Sequence, residues 1–160
     1  MSRNLKLSLS IALCLGAGAV GSLFTFPGIG SWYTSLERPD FAPPNWVFGP
    51  VWTILFILMG VALFLVWDKV GKTAEAKPAT VLFLIHLALN VLWSALFFGL
   101  QRLDMAFMEI MFLWGMIALL LTSFYRVDRR ASYLLIPYFL WVTFATVLNQ
   151  AFWLLNTYNI

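Results

Sequence analysis

The spacing of the charges constrains this chain more than any other feature. Its ten basic and seven acidic residues fall at positions 3–6, 37–40, 68–77, 102–109 and 126–130, and nowhere else. Charge-free stretches therefore run 7–36, 41–67, 78–101, 110–125 and 131–160. An α-helix rises about 1.5 Å per residue and needs roughly 20 apolar residues to cross the hydrocarbon core. Four stretches meet that outright. The fourth in order, 110–125, meets it only by admitting Glu109 and starting near Met105. Composition agrees: 62% of residues are hydrophobic and 11% charged, against about a quarter charged in a soluble domain. The prediction is an all-α polytopic membrane protein, a single five-helix domain over 1–160, with spans at about 5–26, 45–67, 79–100, 105–125 and 132–156.

A transmembrane β-barrel needs alternating segments of about ten residues, whereas these runs are continuously apolar. A cleaved signal peptide is the nearest competitor at the N-terminus, since Arg3 and Lys6 precede an apolar run containing Ala17-Gly18-Ala19. That run continues to Phe26, beyond the roughly 7–15 residues of a signal core, and predicts a retained span. Arg3, Lys6, Lys69, Lys72, Lys77, Arg126, Arg129 and Arg130 fall on one side of the membrane, and only Arg38 and Arg102 on the other. The positive-inside rule then predicts a cytoplasmic N-terminus and an outside C-terminus. The basic balance is thus topological and implies no nucleic acid. The lone Cys14 sits within span 1 and excludes an intrachain disulfide.

The loop 27–44 is unlike the short basic loops. It carries Pro27, Gly28, Gly30, Trp32-Tyr33, Pro39, Phe41 and Pro43-Pro44, and Trp46 follows. Prolines restrict its backbone, and Trp and Tyr favour the interface, so it is expected to lie over the helix ends as a lid. Pro50 and Pro137 fall inside spans 2 and 5, where each removes a backbone donor and opens gaps between neighbours.

Polar side chains at membrane depth are costly unless they face the bundle interior. Span 3 places His86, Asn90, Trp93 and Phe97 on one face, and span 5 places Trp141, Ala145, Asn149 and Phe152 in one stripe. Span 2 contributes Trp52, Phe56 and Met59, and span 4 Met105, Glu109 and Phe112. Together they describe an aromatic cavity with a few polar groups, open towards the outer leaflet or covered by the lid. Asn90 and Asn149 fit interhelical hydrogen bonding and ligand contact equally well. Glu109 lies near its helix end and could snorkel to the interface. His86 reads as a hydrogen-bonded core residue, since no second His or Cys accompanies it as a metal ligand would require. No nucleophile–base pairing, paired carboxylates or phosphate-binding glycine loop is found, and no internal repeat of the transporter kind. Ala17-x-x-x-Gly21, Gly18-x-x-x-Ser22 and Ala95-x-x-x-Gly99 permit close helix approach, either within the bundle or between copies in a homodimer.

One long irregular pattern goes further: Trp32-Tyr33-x-x-Leu36-x-x-Pro39-x-x-x-Pro43-Pro44-x-Trp46-Val47-x-Gly49-Pro50-Val51-Trp52-Thr53. Met59-Gly60, Val66-Trp67, Leu87-Ala88-Leu89-Asn90-x-x-Trp93-Ser94, Phe97-Phe98-Gly99, Pro137-Tyr138-x-x-Trp141 and Leu148-Asn149 follow it. These motifs resemble those of the TspO/MBR family of translocator proteins, tryptophan-rich sensory proteins and peripheral-type benzodiazepine receptors. The resemblance implies a homodimeric five-helix membrane receptor or sensor for tetrapyrroles, protoporphyrin IX and also haem, and for benzodiazepine-type ligands. It requires no cofactor beyond the tetrapyrrole taken as ligand. Carried over residue by residue, it implies a pocket lined by Tyr33, Pro43, Trp46, Trp52, His86, Asn90, Trp141, Ala145 and Asn149. It also implies two alternatives, light-driven porphyrin breakdown at Trp52 and Trp141, or porphyrin transport. His86 stands where the family commonly has glutamine. Gln150 and Leu154 stand where animal members carry a sterol-recognition tyrosine and basic residue, so sterol binding is not expected. The short termini suggest a prokaryotic plasma membrane.

Overall fold

The computed structural model describes residues 2–157 and is helical almost throughout. Helix α1 runs Arg3–Ile29, α2 is the single turn Trp32–Ser35, and α3 runs Asn45–Trp67. Helix α4 spans Ala76–Ser94 and continues into a π-helical turn, Ala95–Gly99; α5 spans Leu103–Val127 and α6 Arg129–Thr157. Five of these helices are long and apolar enough to cross a membrane. The five spans expected from the charge gaps are therefore present, the second with the bounds predicted and the other four a little longer.

Local chemistry explains most of the boundaries. The Ser2 hydroxyl accepts from the Leu5 amide at 3.3 Å and caps α1. Pro44 precedes Asn45 at the start of α3, where the chain enters the helix without a donor to lose. The wider turn after Ser94 is closed by the Leu100 amide donating to the Ala95 carbonyl at 2.8 Å. It delivers the chain to Gln101, whose φ of 55° turns it into α5. The boundary between α1 and the lid differs from expectation. α1 continues through Pro27 to Ile29, so the lid begins at Gly30 rather than at Pro27. The overrun is held by packing: a Cβ on Gly28 would stand 3.3 Å from the Phe98 carbonyl oxygen, so α1 and the end of α4 meet closely there.

The long helices form a ring in which α1 neighbours α3 and α4, α3 neighbours α6, and α5 lies between α4 and α6. At the end holding the N-terminus the ring is filled solid. Met59, Leu63, Val66, Phe83, Phe124 and Leu135 are all but inaccessible there. Phe83 and Phe124 stack at 5.8 Å and 21°. In lipid, such dispersion packing replaces the hydrophobic effect as the force between helices. Small residues allow the approach: a Cβ on Gly60 would lie 2.6 Å from Ile11 Cα, one on Gly18 2.6 Å from the Phe56 ring, and one on Gly99 3.1 Å from the Phe24 ring. Gly18, Gly21 and Gly99 of the small-residue motifs thus make close contacts within one chain.

The basic residues of this end include Lys6, which donates to Asp68 at 3.2 Å and ties α1 to the end of α3. That hydrogen bond, with Lys72 adding to it, holds the Asp68 carboxyl below the usual carboxylate range. At the opposite end the lid is fastened. The Glu37 amide donates to Asn156 Oδ1 at 2.9 Å, and Asn156 Nδ2 donates back to the Glu37 carbonyl at 3.0 Å. Arg38 donates to Asn45 Oδ1 at 2.8 Å and to the Pro43 carbonyl at 3.0 Å. Tyr33 is buried under these bonds, its ring 5.7 Å from Phe98 and 5.3 Å from Phe152.

Candidate functional site

Between the filled end and the lid lies a cavity of about 550 Å³. That is within the roughly 300–1,000 Å³ of small-molecule sites. Its walls come from α1, the lid, α3, the outer part of α4 and α6. Of the nine residues expected at a pocket, Tyr33, Trp46, Trp52, Asn90, Trp141, Ala145 and Asn149 line this one. Pro43 and His86 do not. Pro43 sits in the lid with its carbonyl held by Arg38, and His86 lies one turn below Asn90, fully buried.

Why α4 and α6 present these groups follows from their hydrogen bonds. Asn90 Nδ2 donates to the Tyr138 hydroxyl at 2.9 Å, and that hydroxyl lies 2.8 Å from His86 Nε2. The Trp93 indole N–H donates to Asn149 Oδ1 at 3.0 Å, and Asn149 Nδ2 donates to the Leu103 carbonyl at 3.0 Å. Both asparagines are therefore interhelical glue, but to different extents. Asn149 uses both ends of its amide, joining α4, α5 and α6. Asn90 keeps its carbonyl oxygen unpaired in the cavity wall. Trp141 Nε1 is buried and donates to nothing in the protein. One unpaired acceptor, the Asn90 carbonyl oxygen, thus remains in a wall that is mostly apolar and aromatic but also carries Ser22, Thr25, Asn45, Thr53 and Ser94.

The aromatic rings are held at set angles. Trp52 lies 5.6 Å from Phe56 at 31°, with the Tyr138 ring edge-on at 6.2 Å. Trp141 is braced by Phe48 at 5.9 Å and Phe144 at 5.6 Å. No Asp, Glu, Lys, Arg or His lines the cavity. Among the described residues no cluster of three potential metal ligands occurs. Such a site can hold a large flat apolar molecule by stacking and dispersion, with one or two neutral hydrogen bonds. It offers no acid–base pair.

The expectation that span 4 contributes to the cavity is not met. Met105 and Phe112 are exposed on the outer face of α5, and Met59 of α3 is inaccessible in the core. Glu109 does not snorkel either. Both its carboxyl oxygens are buried and neither has a hydrogen-bond partner. A buried carboxyl without partners destabilises, so the Glu109→Gln protein is expected to unfold at the same or a higher temperature than wild type. Thermal unfolding in detergent checks this; a clear fall in the midpoint would show that the carboxyl carries a favourable interaction.

Sequence reading missed three things here. Phe48 lines the cavity although nothing in its spacing singled it out. The α1 face formed by Gly18, Gly21 and Ser22 is a cavity wall, and its signal, a row of small residues, also fitted contact between copies. Tyr138 is the centre of the buried polar network, and its signal was its place one turn from Trp141 on a helix opposite two polar residues.

Known proteins place the chain among relatives of the same size. The "Tryptophan-rich protein TspO" of Chlorobaculum tepidum is 48% identical over 153 residues, covering 95% of this chain and 96% of that one. The "Tryptophan-rich protein TspO" of Archaeoglobus fulgidus is 44% identical, covering 95% and 97%. The human "Translocator protein" is 37% identical over 135 residues, covering 84% and 80%. The model of the TspO/MBR family matches residues 10–154, which reaches into all five membrane helices and takes in the lid. With five membrane spans, the tryptophan-lined cavity and these matches in agreement, the chain belongs to the TspO/MBR family.

Proposed function

We propose that the cavity binds a tetrapyrrole, with protoporphyrin IX the first candidate, haem the second, and benzodiazepine-type molecules as further ligands. The observation that carries this reading is the uncharged cavity of ligand size walled by Trp46, Trp52 and Trp141. A flat conjugated macrocycle gains from stacking on indole faces, and the Asn90 carbonyl can meet its polar edge. The role is that of a membrane receptor or sensor, because the walls supply no proton-transfer pair. We place the protein in a prokaryotic plasma membrane with the N-terminus in the cytoplasm, as the basic residues at that end favour.

Titrating protoporphyrin IX into the purified protein and following tryptophan fluorescence tests the reading. The Trp52→Phe/Trp141→Phe double variant is expected to bind about tenfold more weakly, since it loses the larger ring faces, about 1.4 kcal/mol in all. Equal affinity in the double variant would remove the stacking model.

A further inference from the structure

The walls of the cavity are not equally closed. On the α4 and α6 sides the lining residues Asn90, Phe97, Asn149 and Phe152 are buried. The roof is stitched to α6 by the two Asn156–Glu37 bonds and weighted by buried Tyr33. On the α1–α3 side the situation is reversed. These helices touch at Ile11–Gly60 and again at Gly18–Phe56, where no side chain could be inserted without a clash. Towards the lid that contact ends, and Gly49 of α3 has nothing within 4 Å of its Cβ position. There Ala19 and Phe26 of α1 and Trp46, Gly49 and Thr53 of α3 line the cavity and are also exposed on the outside of the bundle. Phe26 is 75% exposed and Trp46 74%. Residues that belong to both surfaces mark the thinnest part of the wall, and the open space beside Gly49 marks a gap in it. Both helices are long and apolar enough to cross a membrane, so the face between them is one that a bilayer would cover.

We propose that the cavity is reached sideways from the bilayer, through the gap between the outer halves of α1 and α3, and that the lid is a fixed roof rather than the door. The molecule it admits is a flat amphiphile already dissolved in the membrane. Its apolar body passes between Phe26 and Trp46 into uncharged surroundings. The gap carries no charged side chain to attract a hydrated ion, which disfavours admission of a water-borne anion. The inference rests on the reading of the cavity as a ligand site, but its geometry can be tested apart from it.

The first measurement uses no tetrapyrrole. Wild-type protein is reconstituted into vesicles of phosphatidylcholine with dibrominated acyl chains, which quench indole on contact. The share of emission due to Trp52 and Trp141 is taken by difference from the Trp52→Phe/Trp141→Phe variant. That share is expected to be quenched in wild type and protected in an Ala19→Phe/Thr53→Phe variant, whose added rings fill the gap. No quenching of the pair in wild type would mean that the gap is shut, and would overturn the proposal.

The second measurement mixes the reconstituted protein rapidly with vesicles preloaded with protoporphyrin IX. The association rate is expected to fall at least tenfold in Ala19→Phe/Thr53→Phe and to stay within twofold of wild type in Asn156→Ala, which loosens the roof. Faster association in Asn156→Ala with an unchanged rate in the filled variant would make the lid the door and overturn the proposal. If wild type quenches with brominated lipid but shows no association with protoporphyrin IX, the sideways opening stands and the tetrapyrrole reading falls.

Discussion

The Gly60→Val protein is expected to lose the seam between α1 and α3 and to unfold far below the wild-type temperature. A Cβ at this position would stand 2.6 Å from Ile11 Cα and 3.0 Å from Ile11 N. The obstacle is backbone, so no rotamer change can relieve it. Either α1 moves outward along its length, or the local helices distort. Overpacking of a close-packed interior costs about 1–3 kcal/mol, and a backbone obstacle belongs at the upper end. Loss of the dispersion contacts beside it, around inaccessible Met59 and Cys14, adds to that. We expect a destabilisation of about 3 kcal/mol or more. Gly49→Ala is the control: it lies on the same helix with nothing within 4 Å, so stability should be held or slightly raised. Thermal unfolding of both proteins in one detergent decides the matter. A Gly60→Val midpoint within two or three degrees of wild type would show that α1 is not seated on α3 as described.

Gly60 also illustrates what was legible in the amino-acid sequence and what was not. The spans were legible because a charge in hydrocarbon is so costly that the gaps between charges mark the membrane directly. Which face of each helix points inward was only partly legible. A soluble helix shows its core face by the alternation of apolar and polar residues, but a helix that is apolar all round carries no such stripe. Inward faces could be read only where amides and indoles recur at helical spacing, and this located the cavity walls of α4 and α6. On α5 the same reasoning misplaced Met105 and Phe112, which face outward. On α1 the small residues signalled close approach without saying to what. The structure answers with Phe56 and Ser94, and with the cavity itself. The π-helical turn at Ala95–Gly99 and the overrun of α1 through Pro27 leave no local signature, because tertiary packing holds both.

The second large effect is expected at Tyr138, where removing one oxygen should cost about 3 kcal/mol. Its hydroxyl is inaccessible and has two partners, Asn90 Nδ2 at 2.9 Å and His86 Nε2 at 2.8 Å. Asn90 must donate, because an amide nitrogen has no acceptor. The hydroxyl's one proton then has a single place to go, the lone pair of His86 Nε2, which puts the imidazole proton on Nδ1. The opposite assignment leaves the tyrosine proton without a partner as well as Nδ1. In the Tyr138→Phe protein the ring still packs against Trp52 and His86, so little volume is lost. What remains is a buried imidazole acceptor and a buried amide donor, each unpaired at about 1–3 kcal/mol. The sharper expectation is non-additivity. His86→Phe on its own leaves the Tyr138 proton unpaired, whereas His86→Phe with Tyr138→Phe removes both ends of that bond together. The double variant should therefore be more stable than the sum of the single losses by about 1 kcal/mol or more. Unfolding of the three proteins under one set of conditions measures the coupling, and strict additivity would mean that the 2.8 Å approach of His86 to Tyr138 is a contact rather than a hydrogen bond. If the coupling is found, the same network fixes which way Asn90 faces. Its carbonyl oxygen is then presented to the cavity by the tyrosine behind it, and weaker ligand binding in Tyr138→Phe is expected although Tyr138 does not line the cavity.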